Sequence, residues 1–361
     1  MAELLNYKCP HCDAPIQFEP GVQNMKCPYC DSEFDVAALK SKDEVLNSQP
    51  ADSFEWQEKG SEQWDETNDE GLRVFVCKSC GGEIVGDENT AATKCPYCDN
   101  PVVLSGRLSG VLKPDYVIPF KLDKTQAKES LKKYVNSKKF VPNLFKSENH
   151  LDEISGLYVP FWLFDSDIDA QVSFDATKVS SWSDSKYNYT KTDHYDVFRK
   201  GNMSFENIPV DGASKMPDDL MESIEPFDFK DAVDFQTAYL AGFLADKYDV
   251  GKEESIPRAN QRVKVSAEST LASTVSGYSS VTPKNSSVQV LKGFSKYALY
   301  PVWILNTTYQ GTKYTFAMNG QTGKFIGNLP VSKAKLGGFF AALSVGLSAG
   351  ALLVSKLLGL L

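Results

Sequence analysis

The chain has 361 residues, with 38 lysines and arginines against 47 aspartates and glutamates, a net charge of −9. That balance argues against a general nucleic-acid binder, which needs a basic stripe to meet phosphates. The length allows two or three domains, and all eight cysteines lie before residue 99.

The first block of cysteines is Cys9-Pro-His-Cys12 followed by Cys27-Pro-Tyr-Cys30. A second block repeats it with the same spacing, as Cys77-Lys-Ser-Cys80 and Cys95-Pro-Tyr-Cys98. A Cys-x-x-Cys loop turns tightly enough to present two thiolates to one ion, and two such loops close a four-sulfur cage. Such a cage has no open coordination position, so it serves folding rather than catalysis. The spacing predicts two structural zinc ions, one held by Cys9, Cys12, Cys27 and Cys30, the other by Cys77, Cys80, Cys95 and Cys98. The blocks match beyond cysteine. Lys26-Cys-Pro-Tyr-Cys-Asp31 recurs as Lys94-Cys-Pro-Tyr-Cys-Asp99, a shift of 68 positions, and Ile16 and Ile84 share that offset. No strand-helix context of a redox pair surrounds the loops, and no secretory signal precedes Cys9, so reduced, metal-binding thiols are expected. His11 reads as a solvated loop histidine, since four sulfurs already complete each set. Ribbons this small cannot bury enough apolar surface to fold alone, so metal supplies the missing free energy, on the order of 10 kcal/mol per site.

We divide the chain into a first zinc ribbon (1–36), an acidic linker (37–72), a second zinc ribbon (73–105), an α+β domain with mainly antiparallel strands (106–332) and a transmembrane helix (336–356). Both ribbons are acidic. Within the linker, Trp56 and Trp64 are expected to pack locally. In the α+β region, "DYVIPF" reads as a strand. The stretch after it reads as an amphipathic helix capped by Asp123, with Ala127, Leu131, Tyr134 and Val135 inward and its lysines in solvent. "GLYVPFWLFDSDIDAQVSFDATKV" suggests two strands, and β character continues through polar alternation to Gly212. A helix is expected over 231–247, with Phe235, Tyr239, Leu240, Phe243 and Leu244 on its apolar stripe. Another opens near Pro257 and buries Ala259, Val263, Ala267 and Leu271. The last strands break at Gln310-Gly311 and Asn319-Gly320. "YVPFWLF" at 158 and "YPVWIL" at 300 form a weak repeat, with Pro160 and Pro301 expected at strand starts or edges.

From Leu336 to Ser355 the chain holds no charged residue, enough for a helix of about 30 Å, the thickness of a bilayer's hydrocarbon core. Lys333 and Lys335 precede it, which favours keeping the bulk of the chain cytoplasmic. Gly338, Ala342, Gly346 and Gly350 recur every four residues, a small-residue face against which another membrane helix could pack, in a homo- or hetero-oligomer. A search for an enzyme finds no catalytic set. His194 beside Asp193 reads as a solvated turn, and "GQTGK" at Gly320 lacks the length and the Ser/Thr of a phosphate loop.

The paired knuckles, "YLAGFLADKYDV", "YTFAMNGQTGKFIG" and the apolar tail together resemble the bacterial membrane-anchored double zinc-ribbon proteins, whose ribbons are of the transcription-factor-IIB type and often carry a primosomal or helicase-like label. The resemblance implies a cell-membrane protein, single-pass, with the bulk of the chain cytoplasmic. It also implies partners among phage-shock or flotillin-like membrane-stress proteins, and no catalytic activity. The reading is therefore a non-enzymatic zinc-ribbon adaptor that recruits protein partners at the membrane, with a role in the envelope stress response. The alternative is a nucleic-acid-binding accessory factor for transcription or replication, which the acidic ribbons disfavour.

Overall fold

The computed structural model of the chain describes residues 7–9, 12, 14–16, 24–35, 50–57, 63–64, 71–86, 94–107, 111–146 and 154–357. His11 lies outside these residues. In chain order the strands of the first cysteine block are β1 (Tyr7–Lys8), β2 (Pro15–Ile16), β3 (Asn24–Lys26) and β4 (Glu33–Asp35). The second block supplies β5 (Arg73–Cys77), β6 (Glu83–Gly86) and β7 (Val102–Arg107). Next come β8 (Tyr116–Val117), α1 (Lys124–Ser137), β9 (Ser155–Ser183), β10 (Asn188–Asp211) and α2 (Asp218–Ile224). The remainder is β11 (Val233–Asp234), β12 (Leu244–Asp246), α3 (Lys252–Ser273), β13 (Ser280–Tyr309), β14 (Thr312–Asn319), β15 (Phe325–Gly327) and α4 (Lys333–Leu357).

The chain forms two compact units, each drawn from three stretches. The first takes residues 1–57, 165–205 and 260–293, and the second 58–164, 206–259 and 294–361. In the first unit, two two-stranded sheets, β1–β2 and β3–β4, enclose a small core of Cys9, Ile16, Met25 and Cys27, with Ala14 and Phe34 at its rim. The outer parts of β9 and β10 form a hairpin, turned at Asp184, whose carboxylate accepts from the backbone N–H groups of Lys186 and Tyr187. Part of the expected linker is held here. Val290 N–H donates to Ser53 O at 2.8 Å, and Trp56 Nε1 donates to Asn260 Oδ1 at 2.8 Å.

The second unit carries the large core. Its sheet runs in the order β11-β8-β13-β9-β12-β6-β5-β7, with β14 paired to β13, β15 to β14 and β10 to β9. The β5, β6 and β7 strands of the second cysteine block belong to this sheet. Hydrogen bonding therefore crosses the boundary we drew after residue 105, because β6 pairs with β12 at Val85–Ala245 and Ile84–Asp246. Most pairings are antiparallel, with β9–β12 and β8–β13 parallel. Helix α1 forms as expected. Asp123 accepts from Gln126 N–H, while Gln126 Oε1 accepts from Asp123 N–H, a capping box that satisfies two orphan donors. Ala127, Leu131 and Val135 are buried against Phe145, Trp303 and Phe316. Trp64 is buried too, edge-on to Phe235.

Four expectations differ. The two strands expected after Gly156 are one continuous strand, β9. Its aspartates fall on the outward half of an alternation. Asp167 is exposed, while Ser166 and Ile168 beside it are buried. The helix expected over 231–247 is absent. Gly242 takes a left-handed φ of +83°, which a helix cannot continue through. The residues after it form β12, clamped between β6 and β9, so pairing overrides propensity. Helix α3 starts at Lys252, placing Pro257 inside it rather than at its opening, though Ala259, Val263, Ala267 and Leu271 are buried as expected. Pro160 and Pro301 lie within strands rather than at strand starts. Their carbonyls serve the fold, accepting from Gly212 N–H at 2.9 Å and Gly320 N–H at 2.8 Å. The final breaks hold, with Gln310 and Gly311 both at positive φ in the hairpin turn.

Candidate metal centres

Each cysteine block brings four sulfurs within 4.8 Å of one another. The backbone explains how. In the second block Cys77 N–H donates to Gly82 O, and Gly81 N–H returns to Cys77 O, closing a knuckle around Cys77 and Cys80. The knuckle at Cys95 does the same through Asn100 O and Asp99 N–H, and that at Cys27 through Ser32 O and Asp31 N–H. The residue after the second cysteine turns left-handed in all three, at Gly81, Asp99 and Asp31 (φ of +73°, +57° and +56°). Glycine and aspartate tolerate that conformation better than most residues. The aspartates of the repeated Lys-Cys-Pro-Tyr-Cys-Asp sequence are thus turn formers rather than ligands.

Cys9–Cys30 and Cys12–Cys27 stand at 3.6 Å, Cys77–Cys98 at 3.5 Å and Cys80–Cys95 at 3.6 Å, sulfur to sulfur. These are too long for disulfides, and all eight cysteines are free. They lie close to the edges, roughly 3.8 Å, of a tetrahedron with metal–sulfur bonds of about 2.3 Å. Either set of residues fits a four-coordinate metal. In each block the first cysteine of a pair is buried and the second is more exposed. The Ser32 hydroxyl and backbone N–H lower the Cys30 thiol to about 6. Burial raises Cys98, but the Asn100 side chain and backbone N–H outweigh it and bring the thiol to about 7. These groups support the thiolate form that a metal requires. Burial, and the Cys80 thiol beside it, push the Cys95 thiol up.

The two centres differ in their surroundings. Cys77 and Cys95 are part of the large core, next to Ile84, Tyr97, Val159 and Ile304. Strands β13 and β14 grip the Cys95 knuckle. Asn306 Nδ2 donates to Pro96 O at 2.5 Å, Lys313 Nζ donates to Tyr97 O, and Thr315 Oγ1 braces Asn306 at 2.6 Å. The Tyr97 ring is buried beside Asp246, whose carboxyl burial raises to about 8. Asp211 nearby is raised to about 8, again by burial.

A search of curated proteins finds a relative in Bacillus subtilis, "Uncharacterized protein YdjG", 38% identical over 257 residues, which are 71% of this chain and 75% of the relative. This chain belongs to the YdjG family. No family model matches it, and no solved structure matches.

Other residues singled out in the sequence of this YdjG-family chain do not belong to the two cysteine sets. In α4, Gly338, Gly346 and Gly350 have no atom within 4 Å of where a Cβ would stand, and Ala342 is exposed. The helix is tied down at its start, where Lys335 Nζ donates to Val141 O and Asn143 Oδ1 and Phe339 meets Phe140. Beyond that, Phe340, Leu343, Val345, Leu347 and Val354 are exposed. The span from Lys333 to Leu352 is long and apolar enough to cross a membrane, and none of it is buried. His194 is exposed on β10, in a strand rather than a turn. "GQTGK" is a turn, with Asn319 Oδ1 accepting from Gln321 and Thr322 N–H. Sequence reading missed Asn306, Lys313 and Asp246. No local pattern marks them, since they come from 150 to 220 positions away from the knuckle they surround.

Proposed function

We propose that this chain is a non-enzymatic, membrane-anchored zinc-ribbon adaptor. In this reading each cage holds one structural zinc, α4 crosses the membrane with the bulk of the chain on the cytoplasmic side, and the ribbons and β-rich units receive protein partners. The observation that carries it is α4. A helix with no charge from Leu336 to Ser355, and with none of its span from Lys333 to Leu352 buried, needs a non-aqueous environment. Lys333 and Lys335 before it set the orientation, and a cytoplasmic location suits reduced thiols. The resemblance to double zinc-ribbon proteins of the phage-shock and flotillin-like kind suggests membrane-stress proteins as partners.

The test is fractionation. Full-length protein should stay in the membrane after a high-salt wash, and a chain ending at Lys335 should be released with two zincs per chain. A truncated chain that still sediments would move the anchor elsewhere. Submicromolar binding of the full chain to duplex DNA at physiological salt would favour a nucleic-acid accessory role instead.

A further inference from the structure

The duplicated knuckles carry the same six residues, Lys-Cys-Pro-Tyr-Cys-Asp, and the same left-handed turn, but their tyrosines meet opposite fates. Tyr97 is 3% exposed, and Tyr29 is 72% exposed. The second copy shows what such a knuckle docks on. Its two carbonyls, Pro96 O and Tyr97 O, receive an amide and an ammonium from one β-hairpin, β13–β14. Its ring lies on a core that places a buried carboxyl beside the hydroxyl. In the first copy the corresponding ring projects into solvent. The first ribbon also differs where the ring would fold back. Ala14 stands at the offset of Gly82, and a Cβ built on Gly82 would come within 3.0 Å of the Tyr97 ring. A ring over Ala14 must therefore shift outward. The knuckle's neighbours Asp31, Glu33 and Asp35 are exposed acids, and a four-thiolate zinc cage adds two net negative charges.

We infer that the Pro28–Tyr29 knuckle of the first ribbon is a docking surface for a protein partner that presents a β-hairpin with a lysine and an amide side chain. The lysine and amide meet Pro28 O and Tyr29 O, and the Tyr29 ring enters an apolar pocket. The lysine also answers the acidic ribbon. Exposed tyrosines that become buried in this way are frequent hot spots of protein interfaces. The inference rests on the adaptor reading and names its contact.

The experiment places a photo-crosslinking amino acid, p-benzoylphenylalanine, at position 29 of the full chain in native membranes, with a second version carrying it at Trp182 as a reference. The expected result is a discrete crosslink from position 29 to a strand that bears a lysine, mapped by mass spectrometry. Tyr29→Ala should then lower the affinity of the purified partner at least tenfold at unchanged zinc content, Tyr29→Phe should lower it less, and replacing the mapped lysine with methionine should weaken binding comparably. Crosslinks from position 29 that are absent, diffuse or confined to this chain, with zinc retained, would overturn the inference. So would a partner whose affinity ignores Tyr29→Ala. If the probe at 182 captures a partner while that at 29 does not, the adaptor reading survives and the knuckle proposal falls. If neither does, both fail.

Discussion

The two ribbons have one design and two settings. Among the described residues, the first stands on a core of four buried side chains, two of which are its own ligands. The second has the same ligands, but they form one corner of a core that includes β9, β13 and α2. Identical spacing fixes the cage; it does not fix what the cage supports. In the first ribbon a bound metal would supply most of the folding free energy. In the second it completes a sheet that already buries a large apolar surface.

The largest expected effect follows from that contrast. Cys95→Ser removes a metal ligand and places a hydroxyl in the large core, so the main unfolding transition should fall by several kcal/mol, on the order of 10 °C. Cys27→Ser should unfold the first ribbon and leave that transition in place. Calorimetry of the two variants decides it. Equal shifts would show that the ribbons are energetically alike.

Much of this was legible in the sequence, and the reason is locality. Cysteine spacing, the Asp123 cap and the Gln310-Gly311 turn are set by residues a few positions apart, and all three appear as read. The tail's uninterrupted apolar run is legible in the same way. What failed depends on distant neighbours. Leu244–Asp246 becomes a strand because β6 and β9 flank it. The same six-residue knuckle has its tyrosine exposed at Tyr29 and buried at Tyr97, where a hairpin some 210 positions along the chain, at Asn306 and Lys313, grips the second copy.

Charge gives the next test. Burial raises Asp211 and Asp246 to about 8, against about 3.9 for aspartate in an unfolded chain. Between those values the folded state holds protons that the unfolded state has lost. The stability contributed is therefore complete below pH 4 and declines until pH 8, by up to about 1.4 kcal/mol per pH unit for each group. Asp246→Asn removes one of the two groups. The variant should lose less stability than wild type between pH 6.5 and 8.5, a range chosen to keep zinc thiolates ionised. Equal slopes in denaturant titrations would contradict the assigned burial.

A smaller effect isolates the grip on the second knuckle. Asn306→Ala removes the amide donated to Pro96 O and leaves Thr315 without its acceptor. The cost should be about 1–3 kcal/mol, read as a lower denaturant midpoint with zinc content unchanged. A neutral result would mean that the apolar core alone holds the knuckle.

The smallest expected difference is kinetic, and it compares the two cages directly. A chelator must reach the sulfurs before it can take the metal. Cys12 and Cys30 are exposed in the first cage, whereas Cys80 and Cys98 are half-buried in the second. Opening the first cage disturbs only a small core, while opening the second disturbs strands β5, β6 and β7 and the sheet they join. Local opening costs less where fewer buried contacts are broken. A chromogenic chelator should therefore draw zinc in two equal phases separated by at least about tenfold in rate, which corresponds to roughly 1.4 kcal/mol of barrier. Cys27→Ser should abolish the fast phase and leave the slow one. A single phase that accounts for both metals would mean that the sheet around the second cage gives it no protection. A fast phase that survives in Cys27→Ser would reverse the assignment and make the second ribbon the labile one.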